Sequence, residues 1–262
     1  TYDKVESVLS LMSIPYTVAK DDCSALETSK MVLVNCPGSW MEGKDEKIEN
    51  WVKRGGHLIT TDWALEHLQR IFPNHIRWNG KMTGDECVQL DKFNLQLKTT
   101  TGNTGNRPAP VWWLEGSSYP FMIGKETQVI AHSSELRSRY GNGTVAAYWR
   151  YGLGRVAHMI SHYYLQRTEL RSDMDKTPFK QSSGAYGFKK EMLENCKVGD
   201  LASKVPSGNA FSAVTSIEIL GDAILSCSNE HGSDQKQSNP KGSRQKSESD
   251  GGQNSAKINS TY

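Results

Sequence analysis

Four short stretches of this sequence hold side chains able to do chemistry. They are Cys36-Pro37-Gly38-Ser39, Thr61-Asp62-Trp63, the Trp112–Tyr119 segment with Glu115, and Ser161-His162. Asp62 and His162 are the candidate catalytic pair, because a carboxylate beside an imidazole can take a proton from water. The competing role for Asp62 is to cap a helix beginning near Trp63, since an Asp oxygen accepts the free N–H groups of a first turn. Cys36 would be a nucleophile only as a thiolate beside a base, and a cysteine ending an apolar run more often packs as a small buried hydrophobe. Cys36, Gly38, Ser39, Thr61, Trp63, Trp112, Trp113, Glu115 and Tyr119 are the candidate ligand-binding residues. The aromatic rings among them could stack on a sugar, with core packing expected for at least two. Thr83-Gly84-Asp85-Glu86 places two carboxylates on a turn without a histidine at ligand spacing, so a solvated loop is expected there. His158 and His162 fall on a strand and its end with no carboxylate at a fixed neighbouring position. No metal and no cofactor are expected.

These residues need elements that bring them to one place. Met31–Asn35 is a continuous apolar run, the pattern of a strand covered on both faces. Pro37 and Gly38 break it. Asp45, Ile48, Trp51 and Val52 recur at helical spacing, and Gly55-Gly56 closes that helix with a residue able to take positive φ. His57–Thr61 reads as a second buried strand, followed by a helix through Ala64, Leu65, Leu68 and Ile71 that stops near Pro73. Strand–helix–strand–helix implies an α/β sheet with right-handed crossovers, in which ligands sit at the carboxyl ends of the strands. Upstream, Val5, Val8, Leu9 and Met12 mark a helix, Ile14–Ala19 a short strand, and Asp21–Ser29 a loop with one helical turn. Downstream, strands are expected at Cys87–Leu90, Leu95–Leu97, Val111–Leu114 and Gln128–His132, with a flexible loop over Thr99–Pro110. Thr144–Trp149 and Arg155–Ser161, joined through Gly152 and Gly154, form a late β-hairpin. A helix starts near Tyr163, a loop covers Asp173–Tyr186, and an amphipathic helix runs from Ala210 to about Leu225.

The reading Trp51-Val52-Lys53-Arg54-Gly55-Gly56-His57-Leu58, after a strand ending in a Pro/Gly loop, resembles the glutamine-amidotransferase-like superfamily. The likeness is to the branch without amidotransferase activity that includes trehalose-utilisation-type proteins, and it continues at Gly152–Val156 and Ser161-His162. It implies a flavodoxin-like three-layer sandwich with a mostly parallel sheet. Such a sheet begins with a strand, whereas the first element here is a helix, so either that strand has been lost or, as is expected here, the sequence is a fragment of a longer chain. In the amidotransferases the Cys36–Ser39 position offers N–H groups to an oxyanion, a cysteine stands at the elbow after the next strand, and a late His–Glu pair completes a triad. The elbow falls here at Thr61 or Asp62, neither a cysteine. His162 matches the late histidine, but Tyr163-Tyr164 replaces the nearby glutamate, and Glu169 lies seven positions on. Glutamine hydrolysis needs a thiolate nucleophile, so the resemblance implies a non-catalytic domain with a binding or assembly role. The alternative is a hydrolase or sugar-modifying enzyme of the trehalose-utilisation type using Asp62 and His162.

With 262 residues the chain can build one sizeable α/β domain, expected over 1–227. From 228 to 262 Ser, Gly, Lys, Gln and Asn dominate, and a disordered polar tail is expected. The net charge of +2 carries no basic excess, and no run is apolar for long enough to span a bilayer. Neither nucleic acid nor a membrane is the expected partner; a protein or a small polar ligand such as a carbohydrate is. The five cysteines are odd in number and form no C-x-x-C pair, which points to reduced thiols and a cytoplasmic setting.

Overall fold

A computed structural model describes residues 3, 5–19, 22–93, 110–163, 173–182 and 204–228. Helices α1 (Val5–Leu11) and α2 (Ser24–Thr28) lead into β1 (Met31–Val34). Then come α3 (Asp45–Lys53), β2 (His57–Thr61) and, after a 3₁₀ turn over Asp62–Ala64, α4 (Leu65–Ile71). Short strands β3 (Ile76–Trp78), β4 (Glu86–Gln89), β5 (Lys92–Phe93), β6 (Val111–Leu114) and β7 (Phe121–Ile123) precede β8 (Gln128–His132). Helix α5 (Ser134–Tyr140) and the hairpin β9 (Thr144–Tyr151)–β10 (Gly154–Met159) follow. The short helices α6 (Asp173–Lys176) and α7 (Phe179–Ser182) and the long α8 (Ser207–Ser228) come last.

The main sheet has the order β1-β2-β10-β9-β8-β5. It is mixed. Its first three strands are parallel, whereas β10–β9, β9–β8 and β8–β5 are antiparallel. The expectation of a mostly parallel sheet therefore holds only at the β1 end. The late hairpin reverses the chain through two residues, Gly152 and Leu153, and a two-residue reversal can only make an antiparallel pair. Two small sheets, β3–β7 and β4–β6, lie outside this one.

The unit from β1 to α4 forms where the periodicity places it. Ile48, Trp51 and Val52 of α3 are buried, each such side chain contributing about 1.5–3 kcal/mol. The two glycines closing α3 have different tasks. Gly55 takes φ +113°, whereas at Gly56 a Cβ would lie 2.3 Å from the Trp51 ring, so only hydrogen lets that indole pack on the backbone. β2 and β10 are buried along nearly their whole length, as strands covered on both faces must be.

Several expectations are corrected. Ile14–Ala19 forms no strand and pairs with none among the described residues. Asp173–Ser182 holds α6 and α7 rather than loop alone. α8 starts three residues earlier than expected and is not amphipathic, with Ser212, Thr215, Glu218 and Asp222 buried alongside Ile219 and Leu220. Helix α5 was signalled by its termini: the Ser133 hydroxyl accepts the Leu136 N–H at 3.1 Å, and Gly141 closes the helix in the left-handed region. The strand expected at Leu95–Leu97, nearly all of the Thr99–Pro110 loop, the helix after Tyr163 and residues 229–262 of the tail lie outside the described residues. No helix among the described residues is long and apolar enough to cross a membrane.

Candidate functional site

Adjacent parallel strands in register end side by side. Val34 is opposite Thr60, and Met159 is opposite Thr61. Cys36, Asp62 and His162 lie one to three residues beyond those positions, so the topology delivers all three to one spot. Their ligand-capable atoms lie within 4.8 Å of one another. All three are buried, at 2%, 3% and 3% exposure.

Asp62 occupies the elbow. It holds φ +44°, in the left-handed region that aspartate enters more readily than most L-residues. That backbone turn aims the carboxylate away from the helix that follows. Oδ1 accepts the N–H of Tyr119 at 3.0 Å, and Oδ2 accepts the Ser118 hydroxyl at 3.0 Å. The capping role expected for Asp62 is overturned: its partners lie more than fifty residues away, on the turn after β6. The residue preceding the 3₁₀ turn, Thr61, makes no side-chain cap either; its hydroxyl accepts the Cys36 N–H at 2.9 Å. Burial pushes the Asp62 carboxyl up to about 6, against the hydrogen bond from Tyr119 and the nearby His162, which act the other way.

His162 joins two carboxylates. Its Nε2 is 3.7 Å from Asp62 Oδ2, and its Nδ1 is 2.5 Å from Glu115 Oε2. Glu115 is itself fixed, its N–H donating to the Ser161 hydroxyl at 3.1 Å, with Ser161 at φ +64°. The glutamate expected beside the late histidine is thus supplied from 47 residues upstream, by a residue singled out only as a ligand contact. The turn carrying Glu115 and Ser118 is tied to Thr83, whose hydroxyl donates to the Glu115 carbonyl at 2.7 Å and accepts the Ser118 N–H at 3.1 Å. Asp85 accepts the Gly116 N–H at 2.6 Å, and Glu86 pairs with Arg139 and Tyr140. Gly84 and Asp85 are exposed, as expected of a solvated loop, while Thr83 and Asp85 also brace the turn after β6.

The Cys36 thiol is pushed up to about 12, first by burial, so it is protonated at neutral pH. Gly38 next to it takes φ +89°, and a Cβ there would lie 2.8 Å from Ala64. His158 belongs to the core: Thr60 Oγ1 is 2.8 Å from its Nδ1, Phe121 meets its ring edge-on, and burial lowers its pKa to about 3.

The aromatic candidates divide. Trp112 and Trp113 are fully buried, and the Trp112 indole N–H donates to the Ile160 carbonyl, so neither offers a face to a ligand. Trp63 is half-buried, donates to the Ser117 carbonyl at 2.7 Å and stacks on Tyr119, which stacks in turn on Trp78. Tyr119 is buried, and its hydroxyl donates to Glu66 at 3.0 Å. Ser39 faces elsewhere, into a groove of about 900 Å³ running beside β1 between α1 and Ile14–Ala19. Spacing along the chain could not have signalled Ser118, Thr83 and Ser161, since each acts across a long loop.

The fold and site thus define an α/β domain with a strand-end elbow that carries aspartate. No family model and no curated protein matches the chain. Among solved structures, a cytoplasmic protein of Salmonella typhimurium is similar at 11% identity and a TM-score of 0.41, over 61% of this chain and 74% of that one. A protein from Bacteroides uniformis described as ThuA-like gives 10% identity and a TM-score of 0.40, over 59% and 72%. A GH42 β-galactosidase, Gan42B, gives 11% and 0.42 over 73% of this chain. The match spans only a quarter of the galactosidase's own length. Likeness of this degree assigns neither family nor activity.

Proposed function

We propose that the chain is a non-catalytic amidotransferase-like α/β domain, flavodoxin-like in its layering, with a binding role. The observation that carries this is the state of the elbow: an aspartate stands there, 3% exposed, with both carboxylate oxygens engaged by Ser118 and Tyr119. A carboxylate so buried and so held is not presented to a substrate carbonyl or glycosidic oxygen arriving from solvent. In this reading the domain runs to the end of α8 at Ser228, one residue beyond the expected boundary, the polar stretch after it is dispensable, and the setting is cytoplasmic.

The binding surface in this reading is the groove beside β1. With Met31 opposite His57, and the His57 N–H bonded to the Lys30 carbonyl, the ladder phase turns the N–H and C=O groups of Met31 and Leu33 away from β2. No strand of the described residues pairs with that edge. Val5, Leu9, Ile14 and Leu33 give the groove an apolar lining. An unpaired edge with apolar walls suits an extended polypeptide that adds a strand, rather than a sugar. Peptides selected from a displayed random library on the full chain should lose binding to Leu33→Pro, which removes one outward N–H. Retained binding would overturn this surface.

The Glu115–His162–Asp62 chain favours a second reading, a hydrolase or sugar-modifying enzyme of the trehalose-utilisation type. Trehalose, a panel of p-nitrophenyl glycosides and glutamine should all survive incubation with the native chain. Turnover abolished by Asp62→Asn or His162→Gln would establish the second reading instead.

A further inference from the structure

We propose that Cys36, Asp62 and His162 form a mononuclear zinc site, with Glu115 as the outer partner of His162. This goes beyond the binding role above and does not depend on it.

The donor set is the first argument. Thiolate sulfur, imidazole nitrogen and one carboxylate oxygen together suit zinc, whereas magnesium and calcium prefer all-oxygen shells. Geometry is the second. Tetrahedral zinc holds its ligands at about 2.0–2.3 Å, which sets neighbouring ligand atoms roughly 3.3–3.6 Å apart. Asp62 Oδ2 and His162 Nε2 are already 3.7 Å apart, and the whole set lies within 4.8 Å. Closure needs a contraction of up to about 1.2–1.5 Å at the widest pair.

The surroundings are the third argument. A zinc-bound histidine almost always gives its other ring N–H to a carboxylate or carbonyl, which fixes tautomer and orientation. Here Glu115 Oε2 lies 2.5 Å from Nδ1 without the alignment of a hydrogen bond, and a small turn of the ring would bring the N–H onto it with Nε2 directed to the metal. A ligating carboxylate is itself held by hydrogen bonds, as Ser118 and Tyr119 hold Asp62. The Cys36 backbone is anchored by its N–H bond to Thr61 Oγ1. The three ligands follow directly on the ends of three adjacent parallel strands, so the sheet brings them to one place. On binding, the Cys36 Sγ–H proton passes to solvent as the sulfur–zinc bond forms. Three protein ligands leave the fourth position to a water molecule.

The test uses the full chain, stripped with a chelator and titrated with zinc, then with cobalt(II) as a spectroscopic substitute. One zinc per chain is expected, and cobalt should give a near-ultraviolet thiolate-to-metal band. Cys36→Ser should lose that band. Glu115→Gln, at a half-exposed position, should keep the fold and weaken zinc binding about 10- to 100-fold. A native chain with an intact circular dichroism spectrum that takes up no zinc would overturn the proposal. So would a cobalt band surviving in Cys36→Ser, or a zinc affinity indifferent to Glu115→Gln.

Discussion

Replacing Asp62 by asparagine should stabilise the protein at neutral pH, though it alters a fully engaged buried residue. The native carboxyl titrates at about 6 against an ordinary 3.8, with burial as the main cause. The folded state therefore binds the proton more tightly than the unfolded state does. Native stability from this group is greatest below pH 4, falls as pH rises from about 4 to 6, and is level above that. At about 1.4 kcal/mol per pH unit the full cost of ionising the buried group is about 3 kcal/mol. Asparagine keeps both contacts: its carbonyl accepts the Tyr119 N–H, and its amide can donate to a rotated Ser118 hydroxyl. It carries no charge to desolvate. The stability difference between Asp62→Asn and the native chain should thus grow by about 2 kcal/mol between pH 4.5 and pH 8. Urea unfolding at the two pH values, with chelator present throughout, measures it. For a domain of this size the same difference raises the melting temperature at pH 8 by about 4–8 °C. A difference independent of pH, or a variant less stable than native at pH 8, would show that the ionised carboxylate is a net stabiliser and refute the reasoning.

Gly38→Ala should cost at least about 1–2 kcal/mol in urea melts, because the backbone is left-handed there and the new methyl would meet Ala64 at 2.8 Å. A neutral result would mean the Cys36–Ser39 loop can move away from α4. Trp112→Ala should lose about 3–5 kcal/mol as a core truncation, and a variant that melts like the native chain would return Trp112 to the surface. Cys36 should resist iodoacetamide in the folded protein at neutral pH and react once unfolded in urea, and the chain should release no ammonia from glutamine. Rapid native-state alkylation at Cys36, read by mass spectrometry, would contradict its burial.

The unit from β1 to α4 was legible in the sequence because each of its elements is specified locally. A four-residue apolar run, a helical repeat of Ile48, Trp51 and Val52, a paired glycine stop and a second apolar run suffice for it. The late hairpin was legible for the same reason, its glycines sitting where the two-residue reversal needs them. The convergence of Cys36, Asp62 and His162 followed from the general rule that parallel strands end together. What each residue does there did not follow. Only the fold could decide between Thr61 and Asp62 as the elbow, since it is the left-handed backbone at 62 that turns that side chain inward. The same turn removed Asp62 from its helix and gave it to Ser118 and Tyr119. Glu115 reached His162, and Thr83 reached Glu115, because two long connections fold back over the strand ends, and nothing in local spacing encodes how a long loop returns. Trp112 and Trp113 could have lined a site or filled a core, and their alternation on β6 favoured neither. Both faces of that strand are covered, a fact belonging to the assembled layers and not to any stretch of sequence.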